Sequence, residues 1–185
     1  MKPTASSSSS ASQYDARTIA LHWITAALVV ALWALGQTID WFPRGTPRAG
    51  ARSVHITLGV LLALVLVVRV SWRVSAGTRL PVPDGWLGTA ARAGHGLLYL
   101  LLIAAVLAGL ANVWVHGDNV FGLLQVPAFD PGNRALQHQV GEIHSWLADA
   151  LFVLAGLHAA AALMHHYVLK DGVLRRMLPR LAPPR

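Results

Sequence analysis

The sequence predicts an all-α integral membrane protein, a bundle of four transmembrane helices running up, down, up and down. Three observations predict it. Only 12% of the 185 residues are charged and 55% are apolar, with a mean hydropathy of +0.50, where a soluble domain carries roughly 25% charged residues. Three apolar stretches are each near the ~20 residues a spanning helix needs, and a fourth, from Ile143 to Leu169, is interrupted by Asp149 and several histidines. The basic residues are unequally divided between the two ends of those stretches.

Met1 to Ser12 is Ser-rich with a single Lys2, which reads as part of a disordered tail over 1–17 and not as a cleaved leader. The bundle then occupies 18–180, with helices at about 19–40, 54–74, 94–115 and 142–169, and 181–185 as a C-terminal tail. Between the spans lie segments rich in Pro, Gly and charge, read as loops over 41–53, 75–94 and 116–142. An even number of spans puts both termini on one side. That side carries eleven Lys and Arg, and the other carries four, Arg44, Arg48, Arg52 and Arg134, so both termini are expected on the cytoplasmic side. Trp23 and Trp72 fall at the inner interface, and Trp41, Trp114 and Trp146 at the outer one, as an aromatic belt requires.

The net charge of +7 acts through this placement, and a nucleic-acid binder is a poor fit. The absence of cysteine excludes disulfides, thiolate-held iron–sulfur clusters, cysteine zinc sites and the C-x-x-C-H haem attachment.

Nine histidines are many for such a chain, and an ionisable group inside a span marks function. His144 and His158 lie 14 residues apart, close to four turns, which puts both imidazoles on nearly one face about 21 Å apart along the axis. Each needs a partner at its own depth. His55 starts the second span at the depth of His144, giving an outer pair. His22 and His95 both stand at the depth of His158, and depth alone does not choose between them. Two imidazoles per site suit a six-coordinate b haem, held non-covalently, so two haem b groups are expected. Zinc would want three or four ligands close together. Gly59, Gly94, Gly96, Gly156 and the run Ala159 to Ala162 are small enough to leave room for a macrocycle or to pack helices tightly.

Arg69 and Arg73, four apart at the inner end of the second span, are candidates for haem propionates or simple snorkelling anchors. His165 and His166 are candidates to hydrogen-bond a quinone or supply its protons. Asp149, about 7.5 Å along the axis from His144, suits a watered interface or a proton-handling role. His116 and His138 fall in the outer loop, with His138 a fallback ligand should the fourth helix start earlier.

The segments LHWIT around His22, WFPR at Trp41 to Arg44, VHITLG around His55 ahead of LVVRVSWR, GHGLLYLL around His95, GLHAAAALMHHY around His158 and LRRMLPR near the end resemble the bacterial cytochrome b561 family over roughly 18–180. The likeness is strongest to its stand-alone superoxide-oxidising members. It implies a di-haem membrane enzyme that oxidises superoxide to dioxygen at the periplasmic side and passes electrons to ubiquinone. In the related cytochrome subunits of hydrogenases and formate dehydrogenases the inner haem is held by helices one and four. That implies His22 with His158, and frees His95 for a place near the inner haem or a quinone. Two features depart from the pattern. Trp146 follows His144 by two positions, where the superoxide-oxidising relatives carry an aromatic residue just before the histidine, and the Ser-rich tail has no counterpart.

The alternative function is a cytochrome b subunit of a respiratory complex, fed by a protein partner. A haem-free channel or scaffold whose histidines bind a transition metal is a third reading. Superoxide is an anion, and the loop from Asp40 to Arg52 carries three Arg against one Asp, although the outer side as a whole sums to zero.

Overall fold

The computed structural model of the chain describes residues 13–78, 80 and 85–179. Most of the expected N-terminal tail and all of 181–185 lie outside the described residues, as do Lys2, Arg79, Arg180 and Arg185 of the orientation count.

Helix α1 (Ala16–Thr38) starts where Asp15 accepts hydrogen bonds from the Thr18 N–H at 2.9 Å and the Thr18 hydroxyl at 2.6 Å, an N-cap that satisfies orphan donors of the first turn. It tightens into a 3-10 turn over Ile39–Trp41 and stops ahead of Pro43, which has no N–H to continue it. Helices α2 (Thr46–Ser75), α3 (Trp86–His116) and α4 (Arg134–Met164) follow. Each begins about two turns ahead of its expected start, so the expected loops at 41–53, 75–94 and 116–142 are partly helix. The apolar stretch reports only the length crossing hydrocarbon, whereas the helices continue outside it. Gly45 and Gly85, at φ +99° and +89°, turn the chain into α2 and α3. Pro47 sits in the first turn of α2, where its missing N–H costs nothing, and Asn133 caps α4 by accepting from Leu136 N–H at 2.9 Å. Gly117, left-handed at φ +68°, ends α3.

The segment after α3 is an antiparallel hairpin, β1 (Asn119–Val120) against β2 (Leu124–Gln125), turned at Phe121 and Gly122 with positive φ. It is clamped over the start of α2: Arg52 donates to both carboxylate oxygens of Asp118 at 2.5 and 2.7 Å, and Ser53, 2% exposed, accepts from Phe121 N–H at 3.0 Å.

The bundle consists of two hairpins. α1 packs along α2 and α3 packs along α4, while the contacts between the hairpins, α2 with α3 and α1 with α4, are sparser. A small core of Leu32, Leu62, Leu66, Leu102, Ala105 and Leu151 joins them. Outward, Leu64, Val67, Leu100, Leu107, Val153 and Leu157 are each at least 60% exposed. That continuous apolar girdle is costly in water and natural in lipid. Among the described residues four helices are long and apolar enough to span, over Ala16–Trp41, Thr46–Ser75, Trp86–His116 and Arg134–Leu169.

Asp15 also accepts from the Trp72 indole at 3.1 Å and the Thr78 N–H at 3.1 Å, tying the start of α1 to the end of α2. Burial pushes its carboxyl up, but the hydrogen bonds from Thr18, Thr78 and Trp72 outweigh that and hold it well below the usual carboxylate range. Asp15→Ala is expected to cost about 1 kcal/mol of stability, read as a lower thermal-unfolding midpoint in detergent at pH 7. The folded protein binds this proton less readily than the unfolded chain. The wild type's advantage is therefore complete above pH ~5 and shrinks as the pH falls below ~4; a gap that widens in acid contradicts the assignment.

Candidate functional site

Each end of the bundle gathers histidines. At the end holding both termini, the His22 ring of α1 and the His95 ring of α3 both face the His158 ring of α4, with centroids 6.4 and 5.2 Å from it. At the opposite end His55 of α2 faces His144 of α4 with centroids 6.1 Å apart. His22, His55, His144 and His158 are half-buried, whereas His95 is exposed. Both inner candidates therefore reach His158. The His22–His158 and His55–His144 separations are alike, and each would leave room for one metal held by two ring nitrogens ~2 Å from it, while the His95 ring stands closer to His158.

The hydrogen bonds at Nδ1 differ among His144, His55 and His22. His144 Nδ1 donates to the Ala105 carbonyl at 3.0 Å, the arrangement of an orienting partner that leaves Nε2 with its lone pair for a metal. His55 Nδ1 is buried with no hydrogen-bond partner. His22 Nδ1 lies 3.1 Å from Nη2 of Arg69; arginine only donates, so this nitrogen accepts and the neutral ring carries its proton on Nε2. Ligation through Nε2 thus requires that proton to leave and Arg69 to turn from Nδ1. The Arg69 guanidinium also lies 5.2 Å over the Tyr99 ring. Arg73 donates to the Thr78 carbonyl at 2.7 Å and stands over Tyr14, closing the loop after α2.

Two glycines that sequence reading passed over shape the site. A Cβ built on Gly36 of α1 would lie 3.4 Å from the His55 ring, and one on Gly109 of α3 would lie 3.0 Å from the His144 ring. Each stands on a neighbouring helix, so only the fold reveals it. At Gly59, Gly94, Gly96 and Gly156 an added Cβ meets nothing within 4 Å, and Gly96 and Gly156 are exposed. With two ring pairs at like separations and an orphaned ring nitrogen on His55, the residues fit planar groups held by paired imidazoles.

The remaining candidates sort by place. His138 lies on α4, which does begin early, but it pairs with Glu142 at 3.3 Å on the surface while His144 faces His55. His116, the last residue of α3, bonds its own helix through Asn112 O at 2.9 Å. Asp149 accepts from the Trp33 indole at 2.8 Å and the Gln37 amide at 3.0 Å, linking α4 to α1 beside the stacked Trp33 and Phe152 rings. His165 donates from Nδ1 to Asp171, and His166 is buried with Nδ1 unpartnered. Burial pushes the Asp171 carboxyl up, but hydrogen bonds from His165 and the Val173 N–H and the charge of His165 hold it below the usual range.

The description of the prokaryotic cytochrome b561 family matches residues 13–180. The chain belongs to that family. It is 37% identical over 173 residues to "Cytochrome b561 homolog 2" of Escherichia coli (strain K12), covering 90% of this chain and 91% of the relative. It is 31% identical over 172 residues to "Probable superoxide oxidase CybB" of Yersinia pestis, covering 91% and 97%, and 31% identical over 171 residues to "Cytochrome b562" of Cereibacter sphaeroides, covering 89% and 94%. No solved structure matches the chain. As a b561 cytochrome with four spanning helices, it is a multi-pass bacterial membrane protein of the b-haem type.

Gly109→Leu places a side chain where the His144 ring stands and is expected to lower the haem b bound per chain, counted as pyridine haemochrome. Gly50→Ala, where an added Cβ meets nothing within 4 Å, is expected to leave the count unchanged. Equal haem in both variants removes the role given to Gly109.

Proposed function

We propose that this b561 cytochrome holds two haem b groups, oxidises superoxide to dioxygen at the periplasmic side and passes the electrons to ubiquinone at the cytoplasmic side. The observation that carries the electron path is the pair of facing imidazoles at each end of the bundle, at separations of 6.4 and 6.1 Å. His22 and His158 hold the inner haem and His55 and His144 the outer one. Haem b supplies reversible one-electron transfer when bound. The chain's own residues do the rest. The Ala105 carbonyl orients His144, Gly36 and Gly109 admit the outer rings, and Arg69 and Arg73 are the cations at the inner pair for propionates. His95, beside His158 yet outside a ligand pair, belongs with His165 and His166 to the quinone end. The excess of Lys and Arg at the terminal end supports cytoplasmic termini.

The superoxide donor rests on the similarity to the Yersinia relative and on local charge. The structure narrows the charge argument: Arg48 pairs with Asp40 at 3.2 Å and Arg52 with Asp118, so Arg44 is the member of that loop's arginine trio outside an ion pair with these aspartates. Steering of an anion by this face is accordingly local.

The test is an optical spectrum of the purified protein before and after superoxide, followed by a water-soluble quinone. Two b haems that superoxide reduces and quinone reoxidises support the enzyme, whereas two haems indifferent to superoxide make the chain a cytochrome subunit fed by a respiratory protein partner. His144→Ala and His158→Ala are each expected to remove about one haem equivalent, and a variant lacking both histidines that keeps two haems overturns the ligand set. His95→Ala is expected to retain both haems and slow quinone reduction; loss of a haem there exchanges the roles of His22 and His95.

A further inference from the structure

We infer that Asp171 and His165 form the proton inlet of the quinone-reducing end, with Asp171 the positioning residue that holds the His165 ring. This rests on the quinone reading above and adds to it a residue and a role. Three features of the chain's last segment carry it.

The first is position on the helix. His165 follows His158 by seven residues, two turns, which puts it on the same face about 10.5 Å closer to the end of the bundle. It therefore stands between the inner imidazole pair and water. The second is the local backbone. α4 does not fray at this point; its last turn widens into a π turn over His165–Leu169, and Lys170 takes a left-handed conformation at φ +52°. Single π turns of this kind re-aim side chains and recur at functional sites. Here the widening brings Asp171 back onto His165.

The third is the way the carboxylate is fixed. One oxygen of Asp171 accepts from His165 Nδ1 and the other accepts from the Val173 N–H at 3.1 Å, so the carboxylate is held from both sides. The side chains are 26% and 38% exposed, partly wet and partly against protein. The chain beyond them turns back over the start of α1, where the Met177 carbonyl accepts from the Trp23 indole at 3.0 Å and the Arg176 carbonyl from the Tyr14 N–H at 3.4 Å. Trp23 in turn packs edge-on to His22, at 5.3 Å between centroids. The His165–Asp171 pair thus sits in a fold-back that is anchored on Trp23, beside His22. The other titratable groups along this stretch are His166, Tyr167, Lys170, Arg175 and Arg176.

The chemistry needs such a group. Two superoxide anions lose one electron each and leave as dioxygen, and one quinone gains those two electrons and two protons to become the quinol. The protons must come from the cytoplasmic water. With Nδ1–H held by Asp171, His165 exchanges protons at Nε2 alone. It gives its Nε2 proton to a quinone oxygen that has gained an electron, becomes neutral with Nδ1–H still bonded to Asp171, and regains a proton from water before the second transfer.

The experiment reduces the haem-loaded protein with dithionite and follows haem reoxidation by a short-chain ubiquinone and, separately, by ferricyanide, which takes an electron and no proton. Asp171→Asn is expected to slow the quinone reaction about 10- to 100-fold, through kcat with KM unchanged. Haem content, unfolding midpoint and ferricyanide rate are expected to match the wild type, and Asp171→Glu to restore most of the lost rate. An unchanged quinone rate in Asp171→Asn overturns the inlet, as does an equal loss with ferricyanide, which marks structural damage. A wild type whose haems stay reduced in quinone overturns the quinone reading itself, and the inlet with it.

Discussion

The constraint on which the rest depends is the cost of an imidazole in hydrocarbon. A spanning helix satisfies its own backbone, but a histidine within it must find a partner inside the bundle, and the sequence puts one on every helix. The structure answers by pairing helices into two tight hairpins that meet sparsely, so that the rings of α1, α2 and α3 turn toward the two histidines of α4. A bundle packed evenly on all four sides would leave no span of the kind seen between His22 and His158 or between His55 and His144. The small joining core of six residues is then a consequence of that arrangement: the volume a soluble bundle fills with leucine is kept for ring pairs and the space beside them.

The two ends of the bundle are finished differently. At the outer end polar side chains and a short hairpin are drawn over the helix starts by Arg52, Asp118 and the buried Ser53, and the charges are largely spent on holding that cover. At the inner end the cover is made by the chain's own fold-back from Lys170 onward, hung on Trp23 and Tyr14. The capped N-terminus of α1 is part of the same construction, because Asp15 also grips the end of α2.

Much of this was legible in the residues. Helix number, the class of protein, the depth of each histidine and the outer pair follow from apolar length and 3.6-residue periodicity, since both are properties of one helix at a time. The helix starts were not legible, because Pro47, Gly88 and Gly94 read as breakers, while a proline in a first turn and glycines in a long helix are tolerated. Gly36 and Gly109 were invisible for a different reason. Their role lies in a ring carried by another helix, and no periodicity within α1 or α3 announces it. The unequal separations of His22 and His95 from His158 likewise lie between helices, and the bond between His165 and Asp171 needed a π turn that no spacing rule foresees.

The charges around the two histidine pairs are also unequal. At the outer pair the nearby cation, Arg52, is neutralised by a bidentate contact with Asp118. At the inner pair the cation is Arg69, which meets the His22 ring and the Tyr99 ring, neither of them a carboxylate. In a medium of low dielectric a cation without an anion beside it attracts one strongly. Arg69 is therefore the guanidinium left to receive a carboxylate from outside the chain, as the propionates of the proposed inner haem would supply, whereas Arg52 is already spent on Asp118. That inequality comes from which arginine has an aspartate within reach.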